Sequence, residues 1–100
     1  MLEVIEEKLE TTLTIRPEGQ MNLTTSPAVA EKVTPERLAG ITKLVWDLEK
    51  LEYLSSAGLR VFLAAAKNIG EQGEIVVKNA MPEILDIMEM AGMSNVMTIE

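Results

Sequence analysis

Alternating apolar residues on either side of a polar stretch predict a hairpin at the start of the chain. Leu2 and Val4 precede residues 10–12, and Leu13 and Ile15 follow them. A two-residue period is typical of strands with one buried face. We therefore expect two antiparallel strands here.

Two short helices and a buried strand come next. Ser26-Pro27 and Thr34-Pro35 each predict a helix start, because a hydroxyl residue can cap a helix and proline is tolerated at its first position. The second turn or helix is expected to reach Leu38. The run Leu44–Leu48 is almost entirely apolar, which indicates a strand buried on both faces.

The second half of the chain predicts a long helix, a strand, a shorter helix and a last strand. The long helix ends near Gly73, and its expected core stripe is Leu59, Phe62, Leu63, Ala66 and Ile69. The later elements are a strand at 75–77, a helix from Pro82 to Gly92, and a strand at 96–99.

The element order β-β-α-β-α-β-α-β predicts the fold class. Strands that alternate with helices favour parallel pairs joined by right-handed crossovers. We expect one α/β domain over residues 1–100, with a mixed sheet of four to five strands covered by helices.

Composition narrows the range of partners. The chain carries a formal charge of −7, and 47% of its residues are hydrophobic but only 3% aromatic, so the core must be aliphatic. An acidic surface repels nucleic acid and anionic lipid, so neither nucleic acid nor a membrane is expected as a partner. The net charge favours a basic protein partner instead.

Missing residue types argue against an enzyme. The chain has no histidine and no cysteine, which removes the commonest general base, the commonest zinc ligands and any disulfide. No cofactor or metal is expected. Residues 1–7 lack the basic start and apolar run of a signal peptide, so a cytoplasmic location is expected.

The candidate chemistry lies in two adjacent serines, Ser55 and Ser56, where a strand turns into the long helix. A hydroxyl at this position can cap the helix, and the same unpaired N–H groups can hold a phosphate. Residue type alone leaves both uses of Ser56 open.

The stretches LEKLEYLSSAGLRVFLAAAKNIGEQG and EIVVKNAMPEILDIMEMAGM resemble the STAS domain of bacterial anti-sigma factor antagonists. The resemblance covers nearly the whole chain and is strongest over residues 43–93. It implies a non-catalytic module that binds an anti-sigma factor when unphosphorylated. That partner is also its serine kinase, of the histidine-kinase ATPase fold, and a metal-dependent serine phosphatase reverses the modification.

Carried over by position, the resemblance makes Ser56 the phosphorylated residue. It implies that Gly58 lets the partner approach the turn and that Leu59 anchors the helix. The expected partner-binding residues are Asn22, Ser55, Ser56, Ala57, Gly58 and Arg60. Three of these also have ordinary alternatives: Asn22 as a turn residue, Gly58 as a requirement of the tight turn, and Arg60 as a solvated side chain.

The sequence departs from the family signature at several positions. Ser55 replaces an acidic residue, Ala57 replaces a second hydroxyl residue, and Asn22 replaces an acidic loop residue. We expect the C-terminal helix common in the family to be missing or truncated, since the sequence ends at Glu100. These departures leave a second hypothesis open, a phosphorylation-independent scaffold or sensory-complex component of the same fold.

Overall fold

The N-terminal hairpin forms as the alternating pattern predicts. The structure is a computed structural model that describes the backbone of residues 1–100 and every side chain except that of Gln72. Leu2 is paired with Gly19 and Leu9 with Thr12 in an antiparallel ladder. Glu10, in the turn, has a positive φ of 55°, as tight two-residue hairpin turns require.

The remaining elements follow the predicted order with one addition. The strands are β1 (Leu2–Leu9), β2 (Thr12–Met21), β3 (Lys43–Asp47), β4 (Leu51–Leu54), β5 (Glu74–Lys78) and β6 (Thr98–Ile99). The helices are α1 (Ser26–Ala30), α2 (Pro35–Leu38), α3 (Ser56–Ile69) and α4 (Pro82–Met90), with 3₁₀ turns at Gly70–Gln72 and Met93–Asn95.

All six strands belong to one mixed sheet, which confirms the α/β fold class. The order is β1-β2-β3-β5-β6, and only the first pair is antiparallel. The expectation of four to five strands misses β4, which pairs with the end of β2 beside the main path. With four residues and one partner strand, β4 depends on a long-range pairing and has little signal of its own.

The helices lie on one face of the sheet. Every crossover between parallel strands steps in the same direction across the sheet, so right-handed connections place their helices on the same side. The core cluster accordingly combines alternate strand residues such as Ile15, Trp46 and Val77 with Phe62 of α3 and Ile84 of α4. None of the described helices is long and apolar enough to cross a membrane.

The predicted core stripe of α3 is confirmed at Phe62 and Ile69, with Leu59 and Ala66 half-buried against the core, and is wrong at Leu63. The buried residues are Gly58, Val61, Phe62, Ala65 and Ile69, while Leu63 is 45% exposed. Gly58 accounts for the difference, because a residue without a side chain lets this face of the helix approach the sheet most closely. Leu63 is therefore a surface residue.

Candidate functional site

Ser55 caps helix α3. Its backbone is extended (φ −92°, ψ 175°), and its Oγ accepts a hydrogen bond from the backbone N–H of Gly58 at 3.3 Å. Its own N–H donates to the carbonyl oxygen of Met21 at 2.9 Å. Both bonds fix the turn between β4 and α3 and give Ser55 a structural role.

Ser56 is the first residue of α3, and its side chain is exposed. The cap considered for Ser56 is wrong, because Ser55 occupies that position. The Ser56 hydroxyl makes no hydrogen bond to any of the described residues. The Ser56 side chain therefore lies unbonded at the start of a 14-residue helix, beside first-turn N–H groups that have no partner within the helix.

Gly58 lies inside the protein, one residue after half-buried Ala57. A Cβ atom at Gly58 would lie 2.5 Å from Cδ1 of Leu54 and 3.1 Å from Cβ of Met21. The expectation that Gly58 lets a partner approach the turn does not fit this burial. Its small size serves the contact between α3 and the strands instead.

Asn22 organises the loop that follows β2. Its Oδ1 accepts hydrogen bonds from the backbone N–H groups of Thr24 at 2.9 Å and Thr25 at 3.0 Å. Its own N–H donates to Oγ1 of Thr25, which in turn donates to the carbonyl oxygen of Gln20 at 2.6 Å. These are the contacts of a turn residue, and they hold the half-buried amide side chain in place.

The sheet brings Asn22 and the serine turn together. Strands β2 and β4 run parallel, with Met21 beside Leu54, so the loops that follow them leave the sheet at the same edge. The bond from Ser55 to Met21 joins the two loops directly. Residues 33 positions apart in sequence thus form one surface, as the family resemblance implies.

Comparisons with known proteins identify the family. A sequence model of the STAS domain matches residues 3–100. The chain belongs to the STAS domain family. The resemblance seen in the serine motif is thereby confirmed.

Similar STAS domain proteins include relatives and solved structures. BtrV of Bordetella bronchiseptica, an anti-sigma factor antagonist by name, is 29% identical over 94 residues, which cover 93% of this chain and 81% of BtrV. The crystal structure of an anti-sigma factor antagonist from Mycobacterium paratuberculosis has a TM-score of 0.84 at 20% identity, covering 99% of this chain and 85% of that one. The phosphorylated form of SpoIIAA, a Bacillus cell fate determinant, has a TM-score of 0.77 at 19% identity, covering 98% and 91%. At these identities the two structures support the fold.

The surface of this STAS domain around Ser56 is apolar and cationic. Arg60 is exposed one turn along the same face of α3, and it forms no ion pair among the described residues. Leu23, in the Asn22 loop, is 78% exposed. Leu63, on the outer side of α3, is 45% exposed. Leu23 was not predicted as a surface residue, and Leu63 was wrongly predicted to lie in the core. A lone leucine between polar loop residues was the available signal for Leu23.

The described residues contain no group of three or more acidic side chains arranged to hold a metal ion. Arg16 and Asp47 approach to 3.9 Å, on other strands of the sheet. Arg37 and Glu6 form a closer pair at 2.6 Å, between α2 and β1. Neither pair includes a residue of the serine turn or of the Asn22 loop, and both belong to the scaffold.

Proposed function

We propose that this STAS domain is a non-catalytic anti-sigma factor antagonist that is switched by phosphorylation of Ser56. When unphosphorylated it binds an anti-sigma factor that is also its serine kinase, of the histidine-kinase ATPase fold, and a metal-dependent serine phosphatase reverses the modification. The observation that carries the proposal is the exposed Ser56 hydroxyl, which is free of hydrogen bonds beside a capped helix start.

The different positions of the two serines support a switch at Ser56. Ser55 keeps the cap, so modifying Ser56 removes no hydrogen bond from the fold. A phosphate adds about −1.5 to −2 charge, which a helix N-terminus tolerates well. Phosphorylation should therefore leave the domain folded and change its surface, blocking the partner by charge and bulk.

The names of similar proteins also support an anti-sigma factor antagonist that is switched by phosphorylation. BtrV is named as an anti-sigma factor antagonist, and SpoIIAA, which has this fold, is known in a phosphorylated form. Asn22 and Arg60 are the further contact residues in the proposal, since they flank Ser56 on the same surface. Gly58 contributes only by holding α3 against the strands.

Phosphorylation can be tested by intact-mass measurement of the protein from its own cells. We expect a species about 80 Da heavier, which is lost in Ser56→Ala and kept in Ser55→Ala. Ser55→Ala is the matched control, because it removes the neighbouring hydroxyl. A phosphate that persists in Ser56→Ala would refute the assignment.

Partner binding needs a separate experiment, an affinity capture with wild type and Ser56→Asp. We expect an ATPase of the histidine-kinase fold to be recovered by wild type and by Ser94→Asp but lost by Ser56→Asp. Ser94→Asp is the matched control, because it makes the same change at an exposed serine away from the Ser56 surface. Equal recovery by wild type and Ser56→Asp would contradict the switch.

The second candidate is a scaffold or sensory-complex component that is never phosphorylated. It is favoured by the neutral side chains at Ser55 and Asn22, since neither places a carboxylate beside the acceptor hydroxyl. Under this hypothesis the intact mass stays unmodified in all growth conditions, and the same partners are recovered by wild type and by Ser56→Asp.

A further inference from the structure

The charges of this acidic protein are unevenly distributed. The chain contains 16 acidic residues, yet none of them lies in residues 19–30 or in residues 53–70. The second stretch spans the whole of α3 and carries two cations, Arg60 and Lys67. Both side chains are exposed.

The fold places these two acid-free stretches side by side. Helices α1 and α3 pack against each other. At one end of the pair, the N–H of Ser55 donates to the carbonyl oxygen of Met21 at 2.9 Å. At the other end, Nδ2 of Asn68 donates to the carbonyl oxygen of Val33 at 2.9 Å. The chain that includes α1 therefore runs alongside α3 over its full length.

The exposed side chains of residues 23–28 and 56–67 belong to two segments that pack together, and they are here called the α1–α3 face. Its large apolar members are Leu23 and Leu63, and its only charged members are Arg60 and Lys67. It also contains Ser56. All 16 acidic residues lie outside it.

We propose that the α1–α3 face binds an acidic partner surface whose apolar part receives Leu23 and Leu63. The proposal rests on the proposed function, because Ser56 lies in the same face. It reverses the preference for a basic partner that the net charge of −7 suggests. Charges farther apart than a Debye length of about 8 Å at physiological salt are largely screened, so the local face decides which partner docks.

The same charge pattern gives phosphorylation its effect. A phosphate on Ser56 contributes about −1.5 to −2 charge and so reverses the sign of the charge at the Ser56 end of the face. Arg60, four residues along the helix, is the nearest cation to it, since residues at this spacing are neighbours on a helix surface. The phosphate thus pairs with Arg60, so Arg60 no longer attracts an acidic partner and the face binds that partner weakly.

The charge preference can be tested without the natural partner, by ¹⁵N NMR with two synthetic probes. One probe is a peptide of glutamate and leucine, and the other is its lysine and leucine counterpart. We expect the acidic peptide to shift amide signals of residues 23–28 and 56–67, and the basic peptide to leave them unchanged. If the basic peptide shifts these signals and the acidic one does not, the proposal is wrong.

Two double variants with the same charge change complete the test. Arg60→Glu with Lys67→Glu should weaken binding of the acidic peptide by roughly fivefold or more, as expected for two partly exposed ion pairs. Lys8→Glu with Lys78→Glu alters exposed lysines of β1 and β5, outside the face, and should weaken it by less than about twofold. Equal losses in both would overturn the proposal.

These experiments separate the inference from the proposed function. The peptide response does not depend on a kinase, so an unphosphorylated Ser56 in cells would remove the switch and leave the charge preference intact. Conversely, if an anti-sigma factor is captured by wild type and bound equally well by Arg60→Glu with Lys67→Glu, the inference and the contact role of Arg60 fail, while the switch at Ser56 stands.

Discussion

Replacing Gly58 by alanine tests the close contact between α3 and the sheet. The new Cβ would lie 2.5 Å from Cδ1 of Leu54 and 3.1 Å from Cβ of Met21. Leu54 could move its side-chain end, but it is only 3% exposed and has little free space. The Cβ of Met21 is fixed by its strand.

The expected magnitude is a balance of two effects. Overpacking of a core costs about 1–3 kcal/mol. Alanine is favoured over glycine in a helix by up to about 1 kcal/mol, and by less in the first turn, where Gly58 lies. We therefore expect Gly58→Ala to lower the free energy of unfolding by about 1 kcal/mol and Tm by about 4–8 °C.

Urea unfolding followed by tryptophan fluorescence measures this change. Trp46 is the only tryptophan, is fully buried, and contacts Phe62 of α3 at a ring-centroid distance of 4.5 Å. Ser56→Ala is the control for the same helix end, and as an exposed change it should stay within about 0.5 kcal/mol of wild type.

A double variant identifies the cause of the loss. Leu54→Val removes the δ carbon that the new Cβ would meet, so Gly58→Ala should cost less in that background than in wild type. If Gly58→Ala is as stable as wild type, or if the two changes are simply additive, the steric reasoning is wrong.

Two further changes test the turn itself by the same unfolding measurement. Ser55→Ala should cost about 1 kcal/mol because it removes the helix cap, whereas Ser56→Ala should be nearly neutral; the reverse order would contradict the assignment of the cap to Ser55. Asn22→Ala should cost about 1 kcal/mol through the lost acceptor for Thr24 and Thr25, and Asn22→Asp should keep most of the stability because a carboxylate oxygen can accept the same bonds. Equal losses in the two Asn22 variants would show that the turn bonds contribute little.

Local patterns predicted most of the fold because the elements carry their own signals. The hairpin, the Pro-initiated helices and strand β5 all form where the apolar period and the prolines indicate. The capping expected of the hydroxyl residues holds for Thr34 and is wrong for Ser26, which is the first residue of α1 and accepts no capping hydrogen bond. Strand β4 was missed since its four residues become a strand only by pairing with Gly19–Met21. Leu63 was wrongly placed in the core stripe of α3 because the sequence does not reveal that the helix face with Gly58 packs directly against Leu54 and Met21.

The candidate site was also predicted only in part from the sequence. Sequence motif and family resemblance identified the serine pair, but either serine could cap the helix, and only the hydrogen bond from Gly58 to Ser55 distinguishes them. The acid-free stretches are visible in the sequence. Their meeting in one face depends on the parallel pairing of β2 with β4 and on the bond from Asn68 to Val33, which no local pattern predicts.

The two bonds that hold the α1 segment against α3 have a consequence for binding kinetics. A docking surface whose backbone is already fixed at both ends loses little conformational entropy when a partner arrives. Association should then resemble rigid-body docking, limited by orientation and diffusion, with no slow ordering step. Because the phosphate is added to the same preformed surface and removes its attraction for an acidic partner, switching should slow association as well as shorten the lifetime of a complex.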